Sequence, residues 1–134
     1  MNIDLHVIQE ALSGQLGLRL AVVFGSCATG RQRHDSDLDI AIDMGQVMTA
    51  QQHIDIISSL ALATGRPIDL IDLRQVGEPL LGQILKYGKR IVGSDVVHAQ
   101  YMTRHIMDMA DFVPYQQRIL FERRQAWIGK SRPS

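Results

Sequence analysis

Apolar and polar positions along this chain change period from 3.6 to 2 and back, and those changes delimit the expected elements. Ile3 to Leu16 carries helical spacing and runs into Gly14 and Gly17, which predicts an opening helix. Leu18 to Phe24 (LRLAVVF) has the pattern of a strand buried on both faces. Gly25 to Arg33 is a small-residue turn with room for one short helix. Leu38 to Asp43 alternates and reads as a second strand. Residues 48–64 set Ile54, Ile57, Leu60 and Ala61 at helical spacing, and Gly65-Arg66-Pro67 closes that helix. Ile68 to Leu73 (IDLIDL) predicts a third strand with period-2 carboxylates, Glu78 to Tyr87 a helix ended by Gly88, and Arg90 to Val92 a short strand. From Asp95 onward the pattern is helical, with Met102, Ile106, Met109 and Val113 in one stripe, and Pro114 is expected to kink or break it. Strands alternate with helices, so the expected fold class is α/β or α+β: a small mixed sheet with helices packed on it. A helical C-terminal arm is expected over residues 95–131.

Length and composition narrow this further. The 134 residues suit one domain, with its core at about residues 18–93. No window approaches the roughly 18 consecutive apolar residues of a membrane span, so no membrane role is expected. The N-terminus lacks the basic region of a secretory signal, and the single Cys27 excludes an internal disulfide. Both observations point to a reducing, cytoplasmic setting. Net charge is zero, which argues against broad electrostatic binding of nucleic acid. The zero conceals an asymmetry: residues 1–114 hold 9 Lys/Arg against 13 Asp/Glu, and residues 115–134 hold five basic residues against Glu122. An acidic body suits a divalent metal. A basic tail suits an acidic partner, although a solvated helix end has the same composition.

The candidate chemistry lies in Gly25-Ser26, ten further residues, Asp37-Leu38-Asp39, and then Asp69 in the next predicted strand. Asp37 and Asp39 project from one face at a strand start, their Cα atoms roughly 7 Å apart. That spacing lets two carboxylates bracket hard cations, and Asp69 can reach them from a neighbouring strand. Gly25 lets backbone approach a phosphate closely, and Ser26 can donate its hydroxyl; free N–H groups of a helix starting there would add anion affinity. A lone D-x-D is weak. The joint pattern G-S-x10-D-x-D arises by chance on the order of once in several hundred chains, which favours function.

Phe24-Gly25-Ser26, Asp35-Ser36-Asp37-Leu38-Asp39-Ile40 and Ile68-Asp69-Leu70-Ile71 resemble the polymerase-beta-type nucleotidyltransferase superfamily, and most nearly its minimal (MNT) branch. The resemblance implies a mixed sheet with helices on one side. It implies Asp37 and Asp39 as ligands of two Mg²⁺ ions, with Asp69 as third carboxylate. Gly25 and Ser26 would hold the β,γ-phosphates of ATP, with Ser36 also at the nucleotide. Small proteins of this branch resemble antitoxins paired with HEPN-type toxins, where the antitoxin transfers AMP from ATP to a toxin tyrosine. The chain has no R-x4-6-H signature of a HEPN domain, so it resembles the antitoxin half alone. Two alternatives stay open: an antitoxin acting by steric occlusion, and a nucleotidyltransferase acting on a small molecule or RNA end.

Competing motifs are weaker. Gly25 to Gln32 nearly spells a phosphate-binding loop, but Arg31 and Gln32 replace its Lys and its hydroxyl. Asp35-x-Asp37-x-Asp39 opens like an EF-hand, yet Ile40 stands where Gly is needed and Gln46 where Glu is needed. Cys27 reads as a small hydrophobe, the five histidines show no zinc spacing, and Met102, Met107 and Met109 read as core.

Overall fold

Two apolar faces on the central strands decide the layering. The computed structural model describes residues 4–25 and 37–131, with side chains described through Asp111 and at positions 118, 119 and 121–124. In chain order the elements are α1 (Leu5–Leu12), β1 (Leu20–Phe24), β2 (Leu38–Asp43), α2 (Ala50–Thr64), β3 (Ile68–Asp72), α3 (Leu80–Tyr87), β4 (Lys89–Val92) and α4 (Asp95–Ser131). The strands form one sheet in the order β3-β2-β1-β4. β1 is antiparallel to both β2 and β4, and β2 is parallel to β3 through the α2 crossover, so the sheet is mixed as expected.

Side-chain alternation sends Ala21, Val23, Ile40 and Ile42 to one face, where they meet Ile8 and Leu12 of α1 and Ile56 and Leu60 of α2. Leu20, Val22 and Ala41 face the other way, against Leu81 and Ile84 of α3 and Tyr101 of α4. Helices therefore cover both faces, which corrects the one-sided packing that the family resemblance implies. The reason is visible in β1 and β2: nearly every residue of both strands is buried, and each apolar face needs its own cover. Burying each large aliphatic side chain contributes about 2 kcal/mol, so neither helix pair is dispensable.

Local chemistry sets the helix ends. Asp4 caps α1 by accepting from the His6 N–H at 2.9 Å. α1 ends at Leu12 rather than Leu16: the Ser13 hydroxyl turns back to the Glu10 carbonyl at 2.7 Å, and Leu16 is exposed. Thr49 and Gln52 form a capping box at the start of α2, and Gly65 closes it in the left-handed conformation, φ +68°. Its buried stripe runs through Ile56 and Leu60, and Ile54 is exposed, contrary to the expected stripe. Glu78 accepts from the Gly82 N–H at 3.2 Å at the start of α3 and meets His105 Nδ1 of α4 at 2.7 Å, joining the two helices.

α4 passes Pro114 without a break. Proline deletes one N–H donor, and the turns on either side keep their own bonds. The packed residues of α4 are Val97, Tyr101 and Met102, whereas Ile106 and Met107 are exposed, so the expected Met102–Ile106–Met109 stripe is not the buried face. Val113 lies outside the residues whose side chains are described.

Candidate active site

Register brings the predicted carboxylates together. Asp39 is the second residue of β2; it pairs with Phe24 of β1 on one side and with Asp69 of β3 on the other. Equivalent positions on parallel neighbours point the same way, so the Asp39 and Asp69 side chains lie side by side on the α3/α4 face. The two carboxylates lie within hydrogen-bonding reach of each other. Burial, the Asp69 bond and the negative charges of Asp69 and Asp37 push Asp39 up to about 6. Asp37 sits exposed just before β2, two residues from Asp39, and reaches it through its charge.

Gly25 completes the arrangement. It follows β1 directly with φ +69°, and a Cβ there would collide with Asp39 Oδ2. Glycine is required twice over, by its backbone angle and by the carboxylate lying against it. The G…D-x-D spacing is thus a packing relation between a strand end and the strand beside it.

The structure brings Gly25, Asp37, Asp39 and Asp69 to one end of the sheet. Ser26 and Ser36, with Cys27 and His34, lie outside the described residues. Among the described residues no group of three or more His, Cys, Asp or Glu closes into a metal cage. The donor chemistry nevertheless fits a hard cation: acidic oxygens crowd together, and the forces that raise Asp39 are those a bound Mg²⁺ would reverse. Asp39 and Asp69 would hold such an ion, while Asp37 acts on Asp39 through its charge and does not close a three-carboxylate set with them.

One buried charge has no place in the sequence reading. Asp43, at the far end of β2, is 1% exposed. It accepts from Arg74 Nε at 2.9 Å, the Tyr101 hydroxyl at 2.8 Å and the Gly45 N–H at 2.7 Å. Burial alone would raise its pKa; these bonds outweigh it and hold Asp43 below the usual carboxylate range. Tyr101 is pushed up, by burial and by its bond to Asp43. A signal existed: Asp43 closes a strand whose other residues apart from Asp39 are apolar, on the same face as Asp39, and Arg74 follows the next strand.

A four-stranded mixed sheet with a Gly turn and two paired carboxylates at one end has the architecture of a nucleotidyltransferase. Residues 6–96 match the family described as "Polymerase beta, Nucleotidyltransferase". The chain belongs to that family. The protein adenylyltransferase MntA of Shewanella oneidensis is 32% identical over 77 residues, 58% of this chain. The match spans about half of that relative, 55% of its length. A crystal structure of a toxin–antitoxin with AMP-PNP superposes with TM-score 0.78 and 25% identity, over 90% of this chain and 98% of the other. An MNT antitoxin in complex with tri-AMPylated Shewanella oneidensis HEPN toxin shares the fold at TM-score 0.68 and 21% identity, covering 89% and 98%.

Proposed function

We propose that this protein is a Mg²⁺-dependent adenylyltransferase antitoxin of the cytoplasm that moves AMP from ATP onto a tyrosine of a HEPN-type toxin. The observation carrying the reading is the Asp39–Asp69 pair lying over the Cβ-free turn at Gly25. The likeness to MntA and to the AMP-PNP-bound toxin–antitoxin supports the same reading.

In the reaction, the tyrosine oxygen forms a bond to the α-phosphorus, the bond to the β-phosphate oxygen breaks, and pyrophosphate leaves. Gly25 gives the triphosphate close access to backbone beside the carboxylates. Asp39 and Asp69 orient the reacting groups from adjacent strands, so their separation is set by the sheet, and Asp37 adds its charge from just before β2. Mg²⁺ held there would neutralise charge at the α-phosphorus and lower the acceptor pKa. Asp69 is the exposed member of the pair, and on this reading it is the carboxylate that would receive the proton of the acceptor hydroxyl. A tyrosine, with a reference pKa near 10, needs less activation than an aliphatic hydroxyl.

The test is incubation with α-labelled ATP, Mg²⁺ and the product of the neighbouring reading frame. Label on a tyrosine of that product, absent with Asp39→Asn, is the expected result. Neutralisation of the toxin without label would assign steric occlusion instead, and label on a small molecule or RNA end would assign a different acceptor.

A further inference from the structure

At the end of the sheet away from Gly25 and Asp69, an open cavity of about 380 Å³ is lined by Arg19, Asp43, Arg74, Gln100, Tyr101 and Arg104. Adenylyl transfer makes no use of it. Asp43 lies four residues along β2 from Asp39, about 13 Å at strand rise, so the two sites are separate. Three guanidinium groups here share one concavity with a single carboxylate. That carboxylate is already saturated by Arg74, Tyr101 and the Gly45 N–H.

The arginines are held differently. Arg104 donates Nη1 to the Leu73 carbonyl at 2.8 Å and Nη2 to the Val76 carbonyl at 2.7 Å, and its guanidinium lies 5.1 Å from the Tyr101 ring centroid. Its Nε is 3.9 Å from Asp108. Arg104 is thus a fixed positive wall. Among the described residues the Arg19 guanidinium meets only a neutral acceptor, Gln100 Oε1 at 3.3 Å. Arg74 spends Nε on Asp43, and among the described residues its two Nη groups have no hydrogen-bond acceptor. Two guanidinium forks are therefore available beside a third whose charge reinforces them.

The geometry points to a binding site for a small phosphoanion in this cavity, with Arg19 and Arg74 as its direct ligands and Arg104 as electrostatic support. Paired forks match the several oxygens of a phosphoryl group, and a dianion balances more of the local positive charge than a carboxylate would. The volume falls in the range of small-ligand sites. The ligand would bridge three segments: the start of β1 (Arg19), the loop after β3 (Arg74) and α4 (Gln100, Arg104). Binding therefore couples to how firmly α4 sits on the sheet. The inference does not depend on the transfer reaction.

Titration calorimetry and thermal melts test it on the full chain in EDTA, with inorganic phosphate, pyrophosphate and AMP as probes at matched ionic strength. One saturable site per chain is expected, and the Tm should rise by several degrees at about 100 times Kd. Arg19→Gln should weaken binding at least tenfold while leaving the ligand-free Tm within about a degree, since Arg19 is exposed. Arg19→Lys should fall between, because the ammonium keeps charge but loses the fork. Asp39→Asn should bind as the parent does. Comparable affinity for all three probes would assign a single phosphoryl pocket, and preference for pyrophosphate or AMP a larger one; both support the site. Absence of saturable binding by any probe would overturn it. So would affinity indifferent to Arg19→Gln, or lost with Asp39→Asn.

Discussion

Asp39 and Asp43 stand on the same strand and face, four residues apart, and the fold treats them in opposite ways. Asp39 is crowded by Asp69 and Asp37 and pushed up to about 6. Asp43 is enclosed by Arg74, Tyr101 and a backbone N–H and lowered. Both carboxylates lose water, so burial does not separate them; the sign of the neighbours does. At the Gly25 end the structure concentrates unfavourable charge that a cation would relieve. At the Arg74 end it satisfies a charge completely and so locks α4 to the sheet. At the first end a carboxylate is left short of positive charge; at the second Asp43 is fully matched, and the surplus positive charge lies on the arginines around it.

If that division holds, Asp39→Asn should lose transfer by a factor on the order of 10³, about 4 kcal/mol of barrier, with the fold retained. Asp37→Asn should behave alike. Relief of carboxylate repulsion should leave the metal-free melting temperature of Asp39→Asn equal to or slightly above the parent's. Asp69→Asn should separate binding from chemistry: ATP affinity within about tenfold, roughly 1.4 kcal/mol, and turnover collapsed. Equal losses of both would move Asp69 into the triphosphate site.

The opposite end should answer in stability instead. Asp43→Ala strands the buried Tyr101 hydroxyl and leaves Arg74 without its partner, which should cost about 3 kcal/mol by urea unfolding. A change below about 1 kcal/mol would show that the Asp43 cluster does not hold α4.

Acid titration sharpens the contrast without mutation. Asp39 is protonated more readily folded than unfolded, so its protonation favours the fold. Metal-free stability should rise as pH falls from 7 through about 6 and level off near the ordinary carboxylate value. Discounting for its partial exposure, the gain is about 1 kcal/mol. Asp43 has the reverse sign. Its contribution is present above the ordinary carboxylate value and is lost as pH falls further, through its depressed folded value. A stability maximum near the ordinary carboxylate value, about pH 4, should result, and Asp39→Asn should flatten the rise between pH 7 and that maximum. A monotonic fall from pH 7 in the parent would contradict the account of Asp39.

The strands and the meeting of Asp39 with Asp69 were legible because they follow from period and spacing. Alternation in Leu38–Asp43 and Ile68–Asp72 fixes which side chains share a face, and in-register parallel pairing then places Asp39 beside Asp69. Faces of helices were less legible. Ile54 and Ile106 fit a stripe by spacing, yet each falls on the solvent side, because which arc of a helix packs is set by its crossing over the sheet. The Asp43–Arg74–Tyr101 cluster was not legible as a unit, since its members are 31 and 58 residues apart and meet only through tertiary packing. Helix cover on both faces was implicit in the nearly unbroken apolar character of Leu20–Phe24, but the family resemblance pointed to one side.

The smallest expected effect concerns the end of α4. The contacts that tie this helix to the body run from Val97 through Tyr101 and Arg104 to His105. Further along, Arg118, Phe121, Glu122, Arg123 and Arg124 are exposed. Truncation after Val113 keeps every member of the Asp43 cluster, so urea stability should change by no more than about 0.5 kcal/mol. Mg²⁺-ATP binding should also persist, because Gly25, Asp37, Asp39 and Asp69 are at the other end of the sheet. What should fall is modification of a protein partner: the lost segment carries five basic residues against one acid, together with Trp127, and Trp and Arg dominate interface energetics. A truncate that unfolds would show the arm to be part of the cohesive end, and one that modifies its partner at the parental rate would place recognition elsewhere on the body.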